Sequence, residues 1–173
     1  MSTTMSDTAT SYFIVGLKDV HAVENQALAL IDRQLDRVKN YPEVADQLHL
    51  HRQETENQIN RVEQILSSLG ESHSSLKDLA LSFTGNMAAL THTFAGDEIL
   101  KNNFVNLAFE NFEAASYISL ITMAEQTPHS DAISLLRTSL SEEERMATWV
   151  RDNIPRITRR FLELDAMGEK SSR

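Results

Sequence analysis

The sequence predicts an all-α fold, a single four-helix bundle, on three observations. Five glycines and three prolines in 173 residues leave few tight turns, which favours a few long helices over many short strands. Apolar residues recur three or four apart over long stretches, the period of a helix with one buried face. The stops between those stretches are few and well separated: Asn40-Tyr41-Pro42, Gly70 and Thr127-Pro128. A hydrophobic content of 41% is enough to fill the core of one domain of this length.

The first helix is expected from about Ser11 to Lys39, on the stripe Phe13, Leu17, Val20, Ala27, Ile31, Leu35 and Val38. Residues 1–10, Ser/Thr-rich, are expected to be a disordered lead-in. Pro42 sits where the second helix begins, at a first-turn position that needs no N–H. That helix carries Leu48, Val62, Ile65 and Leu69 and ends at Gly70. From Glu71 to Gly96 the pattern weakens, with a cap at His73-Ser74-Ser75 and short helical pieces around Leu76–Phe83 and Asn86–Thr93. The third helix spans roughly Asp97 to Gln126 and the fourth Ser130 to Asn153. Pro155 is expected to break the chain before a short C-terminal helix, Arg156–Ala166. The bundle domain is thus 11–167, followed by a disordered tail, 168–173.

Link lengths set the topology. The first and last connections are a few residues, so each joins an antiparallel hairpin. The Glu71–Gly96 connection can travel the length of a ~40 Å helix even at ~1.5 Å per residue. The third helix then runs parallel to the second, the up-down-down-up, single-crossover arrangement of ferritin-like bundles.

Composition excludes several functions. A net charge of −9, a pI near 5.1 and the lack of a basic cluster argue against a nucleic-acid partner. Zero cysteines exclude disulfides, thiolate metal sites and cysteine nucleophiles. No apolar run approaches the ~20 residues needed to cross a bilayer. The first residues lack the basic and apolar regions of a signal peptide, so a cytoplasmic address and no membrane partner are expected.

Chemistry enters through carboxylates on inward faces. Glu24 falls within the stripe of Val20, Ala27 and Ile31, with His21 beside it. His51 and Glu54 share a face with Leu48, Val62 and Ile65. His49, Glu56 and Glu63 share the polar side instead and are set aside. Glu110 lies between Leu107 and Ala114, and Glu113 between Phe109 and Tyr117. Glu143 continues Leu136 and Leu140, a stripe that Glu142 and Glu144 fit less well. Measured from their connecting turns, all four helices bring carboxylates to about one level. Taken singly, each glutamate reads as a stripe-edge side chain reaching for water, and each histidine as a hydrogen-bonded core residue. Taken together they are costly without cations between them, and a pair of metal ions is the simplest compensation.

The segments GLKDVHAVENQAL, HRQETENQINRVEQILSSLG, FENFEAASYISL and LSEEERMATWV resemble the YciE/YciF-like family of bacterial ferritin-like proteins. The likeness runs from Tyr12 to about Ile154 in the family's order. It implies a rubrerythrin-type bundle, a homodimer and an association with stress responses. It also implies Glu24, His51, Glu54, Glu110, Glu113 and Glu143 as metal ligands. Two features depart from the usual di-iron pattern: His51 precedes Glu54 by three residues, and the fourth helix offers no histidine. His21 stands where the family often has an aromatic residue, as an extra ligand or a partner to one.

Oxygen ligands with one or two imidazoles suit two divalent ions, iron or manganese foremost and zinc as the other candidate. With iron, the expected reaction is oxidation of Fe(II) by dioxygen or peroxide. Tyr117, one turn beyond Glu113, is either a hydrogen-bond donor and electron source at the site or a satisfied core tyrosine. Trp149 is expected to pack. The competing readings are a metal-independent helical interaction module and a scaffold kept for structure alone.

Overall fold

The computed structural model describes residues 4–71 and 96–172. Among them the regular elements are four helices: α1 (Met5–Leu35), α2 (Pro42–Ser68), α3 (Glu98–Ala124) and α4 (Ala132–Ala166). The cap and short pieces expected between Glu71 and Gly96 lie outside the described residues.

Helix α1 begins at Met5, upstream of Ser11, so the described part of the lead-in is helical rather than disordered. A reciprocal capping box holds that start: the Thr4 hydroxyl accepts from the Asp7 amide at 3.1 Å, and Asp7 Oδ2 accepts from the Thr4 amide at 3.1 Å. Pro42 opens α2 as expected. Gly70 ends it at a φ of 79°, where the Glu71 amide donates to the Leu66 carbonyl at 3.0 Å.

Pro155 does not break α4, which continues through it to Ala166, and there is no separate C-terminal helix. Pro155 and Arg151, whose carbonyl it leaves without its helix donor, are both exposed residues. Ile157 and Leu164, buried beyond it, hold the second half of the helix on the bundle. Nor is the tail loose as far as Ser172. Tyr41 donates its hydroxyl to the Ser171 carbonyl at 2.5 Å, and Asn40 donates to Lys170 at 2.6 Å. The Ile99 amide, in the first turn of α3, donates to the Ser172 carbonyl at 3.0 Å. The tail therefore fills one donor, the Ile99 amide, that the start of α3 would otherwise leave open.

Helix α1 packs against α2 and α3, and α4 against the same two, so α1/α4 and α2/α3 lie on the diagonals. Two apolar clusters define the ends. One gathers Phe13, Leu17, Val62, Leu66, Leu120 and Leu136, from the start of α1, the end of α2, the end of α3 and the start of α4. The other gathers Ile31, Val44, Leu48, Ile99, Val150 and Leu164, from the opposite ends, with Trp149 packed against it. That distribution is up-down-down-up. Between the clusters lies a polar layer.

Candidate metal centre

The polar layer is built by one or two turns from each helix. From α1 comes Glu24, one turn after Val20 and one before Ala27, whose burial turns the carboxylate inward. From α2 come His51, Thr55 and Gln58, on the stripe that continues to Val62. Helix α3 supplies Glu110, Glu113 and Tyr117, and α4 supplies Ser139, Glu142 and Glu143. All are buried, and Glu24, Gln58 and Glu143 have no exposed surface.

His51 is the hub. Its Nε2 lies 3.0 Å from Glu110 Oε2, without a hydrogen bond's alignment, and 3.9 Å from Glu143 Oε2. One donor atom from each of the three falls within 4.8 Å of the others, a spacing that a single cation can bridge. His51 Nδ1 faces Glu54 Oε2 at 3.3 Å on the other side of the ring. Glu54 Oε1 in turn accepts from Arg145 at 2.7 Å. Both Glu54 oxygens are thus engaged, and its carboxylate orients the imidazole so that Nε2 points into the cluster.

Tyr117 donates its hydroxyl to Glu24 Oε1 at 2.5 Å. The other Glu24 oxygen, both Glu113 oxygens and Glu143 Oε2 have no hydrogen-bond partner. Burial, only partly offset by the Tyr117 hydroxyl and by His51, pushes Glu24 up to about 8. Glu113 and Glu143 are also raised well above the carboxylate range, by burial first and then by neighbouring glutamates. For His51, burial works against the charged ring, but Glu110, Glu54 and Glu143 outweigh it and hold its pKa well above 6.5. Burial and the Glu24 charge raise Tyr117 as well.

The layer separates into paired and unpaired acids. Arg61 grips both Glu142 oxygens at 2.6 and 2.9 Å and also donates to Ser139 at 3.1 Å. Gln58 Nε2 donates to Glu142 at 3.1 Å and to Glu143. Among the described residues, Glu24, Glu110, Glu113 and Glu143 have no such arginine. Leaving four acids like this in an apolar interior costs several kcal/mol for each one ionised. Two divalent cations would return the same charge and take up the orphaned oxygens, so the donor set fits them.

Of the residues singled out in the sequence, Glu24, His51, Glu110, Glu113, Glu143 and Tyr117 converge here. Glu54 stands behind the imidazole rather than beside the other carboxylates. His21 does not join: its Nε2 meets Glu63 Oε1 at 2.9 Å, a residue set aside as polar surface, and Asn25 stands beside it. Sequence reasoning missed Gln58, Arg61 and Glu142. Gln58 carries a signal, since it falls four residues before Val62 and seven after His51 on the buried stripe. Glu142 sits at the edge of its stripe, and Arg61 with Gln58, both from another helix, explains its burial.

Comparisons with known proteins bear on the family and the fold. The profile of a family described as a domain of unknown function (DUF892) matches residues 8–163. Protein YciF of Escherichia coli (strain K12) is 29% identical over 140 residues, which span 76% of this chain and 81% of that protein. The crystal structure of a protein from Xanthomonas campestris pv. campestris matches with a TM-score of 0.76 at 25% identity, covering 91% of this chain and 99% of that one. The crystal structure of the E. coli stress protein YciF matches with a TM-score of 0.66 at 24% identity, covering 84% and 94%, and bears on the fold alone.

Proposed function

The chain belongs to the YciF-like DUF892 family, and from that premise we propose that it is a ferritin-like protein holding two divalent metal ions, iron or manganese, and oxidising Fe(II) with dioxygen or reducing peroxide. The observation that carries this reading is the set of four buried, arginine-free carboxylates around one oriented imidazole. When bound, such ions supply redox chemistry towards dioxygen or peroxide. The residues do the rest. With a cation in place of the Nε2 proton, Glu54 would hold the remaining proton on His51 Nδ1. Glu24, Glu110, Glu113 and Glu143 supply oxygens, and Tyr117 fixes one Glu24 oxygen so that the other faces the cluster. Leu17, Val62, Leu48 and Val150, in the clusters on either side, exclude water from both ends.

The setting is consistent with this use. One relative is described as a stress protein, and handling peroxide or free iron is of value under oxidative stress. A chain without cysteines suits the cytoplasm. No helix among the described residues is long and apolar enough to cross a membrane. The protein is taken to be a homodimer through the outer face of α1 and α3. From Asn102 to Ala124 the only charges on α3 are Glu110 and Glu113, both buried. Tyr12 and Phe112 are exposed, and Phe112 lines a groove of about 450 Å³ together with Gly16, Asp19 and Leu120. In a chain of charge −9, this groove carries a single charged lining residue, Asp19, so two copies can meet there with little repulsion.

Metal content decides the matter. The protein is loaded anaerobically with Fe(II) or Mn(II), desalted and analysed by ICP mass spectrometry, alongside Glu24→Ala/Glu110→Ala. The expected result is about two ions per chain, lost in the double variant. A folded wild type that carries no metal above background would sink the reading and favour a metal-independent interaction module.

A further inference from the structure

We infer that Arg61 and Gln58 are positioning residues for the candidate metal centre: the Arg61–Glu142 ion pair anchors the Gln58 amide, and that amide holds Glu143 so that one chosen oxygen, Oε2, is presented to a cation beside His51. The inference rests on the di-metal reading and adds the contacts that set its donor geometry.

The contacts run in series from the edge of the bundle inward. Arg61, whose side chain stays 18% exposed, donates Nη1 to Glu142 Oε2 at 2.6 Å and Nη2 to Glu142 Oε1 at 2.9 Å. This two-pronged grip fixes the plane of the carboxylate. The same Nη1 donates to Ser139, one turn earlier on α4, at 3.1 Å. Glu142 Oε2 also accepts from Gln58 Nε2 at 3.1 Å, and Gln58 Nε2 donates as well to Glu143 Oε1. Successive helical side chains point about 100° apart, and the Gln58 amide spans the gap between the two neighbouring acids. Turning that amide over would set its oxygen against two carboxylates, so its orientation is fixed. Gln58 is fully buried and its Oε1 has no hydrogen-bond partner, a cost that its two donated bonds offset.

The consequence is that the two Glu143 oxygens differ. Oε1 is taken by Gln58, whereas Oε2 has no hydrogen-bond partner and lies 3.9 Å from His51 Nε2. His51, Glu110 and Glu143 are the trio whose donor atoms lie within 4.8 Å of one another. A carboxylate without the Gln58 bond would be free to rotate and to offer either oxygen or both. The imidazole is oriented by a parallel device: Arg145 grips Glu54, and Glu54 meets His51 Nδ1. Each of these two ligands of the trio is thus backed by an acid that an arginine from a neighbouring helix holds in place.

The test is titration of the full-length, metal-free protein with Co(II), a coloured probe for imidazole and carboxylate ligands. Visible absorption reports the ligand geometry, and competition with a chelator gives the affinity. Gln58→Met, Arg61→Met, the double variant and Arg52→Met are compared with wild type, and circular dichroism checks that each is folded. Arg52 is the control, an arginine bound to Asp32 and Glu56 outside the layer. Gln58→Met should weaken Co(II) binding by about tenfold or more and alter the spectrum. Arg61→Met should move both in the same direction. Because the two residues act in series, the double variant should bind no more weakly than Gln58→Met alone. Arg52→Met should match wild type. Gln58→Met leaves the Arg61–Glu142 pair intact, so it tests the inference even if Arg61→Met does not fold. Wild-type affinity and spectrum in Gln58→Met, tighter binding by Arg61→Met, additive losses in the double variant, or an equal loss in Arg52→Met would each overturn the inference and leave the di-metal reading intact. A folded wild type that binds no Co(II) would overturn both.

Discussion

Tyr117 and Glu24 share a 2.5 Å hydrogen bond between side chains with no exposed surface, so neither group can turn to water if the other is removed. Tyr117→Phe would leave a second Glu24 oxygen without a partner. It should destabilise the metal-free protein by about 1–3 kcal/mol, read as a lower denaturant midpoint; an unchanged midpoint would mean that the bond contributes nothing. The same layer sets a pH dependence with a definite sign. An acid raised from 4.5 to about 8 in the folded chain contributes stability that is fully present below 4.5 and is lost as pH rises through about 8. Glu113 and Glu143 act in the same direction. So does His51, whose contribution is present below 6.5 and lost above its raised value. In EDTA, the guanidinium midpoint should therefore fall between pH 5 and pH 8.5, and saturating Mn(II) should flatten or reverse that fall as cations replace protons. A midpoint that rises with pH in EDTA would show that the carboxylates are already compensated. At this scale much was legible in the sequence, because Glu24, Glu110, Glu113 and Glu143 each interrupt an apolar stripe. His21 was misleading because one residue separates the face that looks into the layer from the face that looks at Glu63. Glu142 was hidden because its pairing partner, Arg61, lies on another helix, and no local pattern reports a contact across the bundle.

The helices themselves were legible wherever periodicity and punctuation agreed. Pro42 and Gly70 bound α2 where their backbone preferences place them. The start of α1 was not legible, because it depends on a capping box in a polar segment with no apolar stripe to mark it. Pro155 misled for the opposite reason: it is a strong local signal overruled by packing on both sides. Its cost should still be present in α4. Pro155→Ala restores an N–H to the Arg151 carbonyl and removes a poor helix former, so it should stabilise the protein by about 1–3 kcal/mol. Thermal unfolding would show this as a raised midpoint. A lower one would mean that a bend at Pro155 is needed to seat Ile157 and Leu164.

For the whole molecule, the link lengths carried the topology, since two short connections and one long one leave little choice among bundles. The docking of the tail was not legible. Ser171 and Ser172 act through backbone carbonyls, on which sequence is silent. The apolar outer face of α1 and α3 leads to a prediction about assembly. Phe112→Glu, at an exposed position on that groove, should convert a dimer into a folded monomer by light scattering coupled to gel filtration. A wild type that is already monomeric would remove the dimer from the proposal.

The two end clusters are separate, with the carboxylate layer between them, and at its level the described residues offer only the small apolar cluster of Val23, Ala27, Leu30 and Phe109 on the α1–α3 side. Most bundles are tightest at mid-height and fray from their ends. Here the weakest stretch of the metal-free chain should be its waist. Amide hydrogens around Glu24, Gln58, Glu113 and Glu143 should exchange faster than those of the helical turns above and below them. Cation binding should then join two semi-independent folding units into one, so that occupancy of the carboxylate layer governs how cooperatively the bundle unfolds.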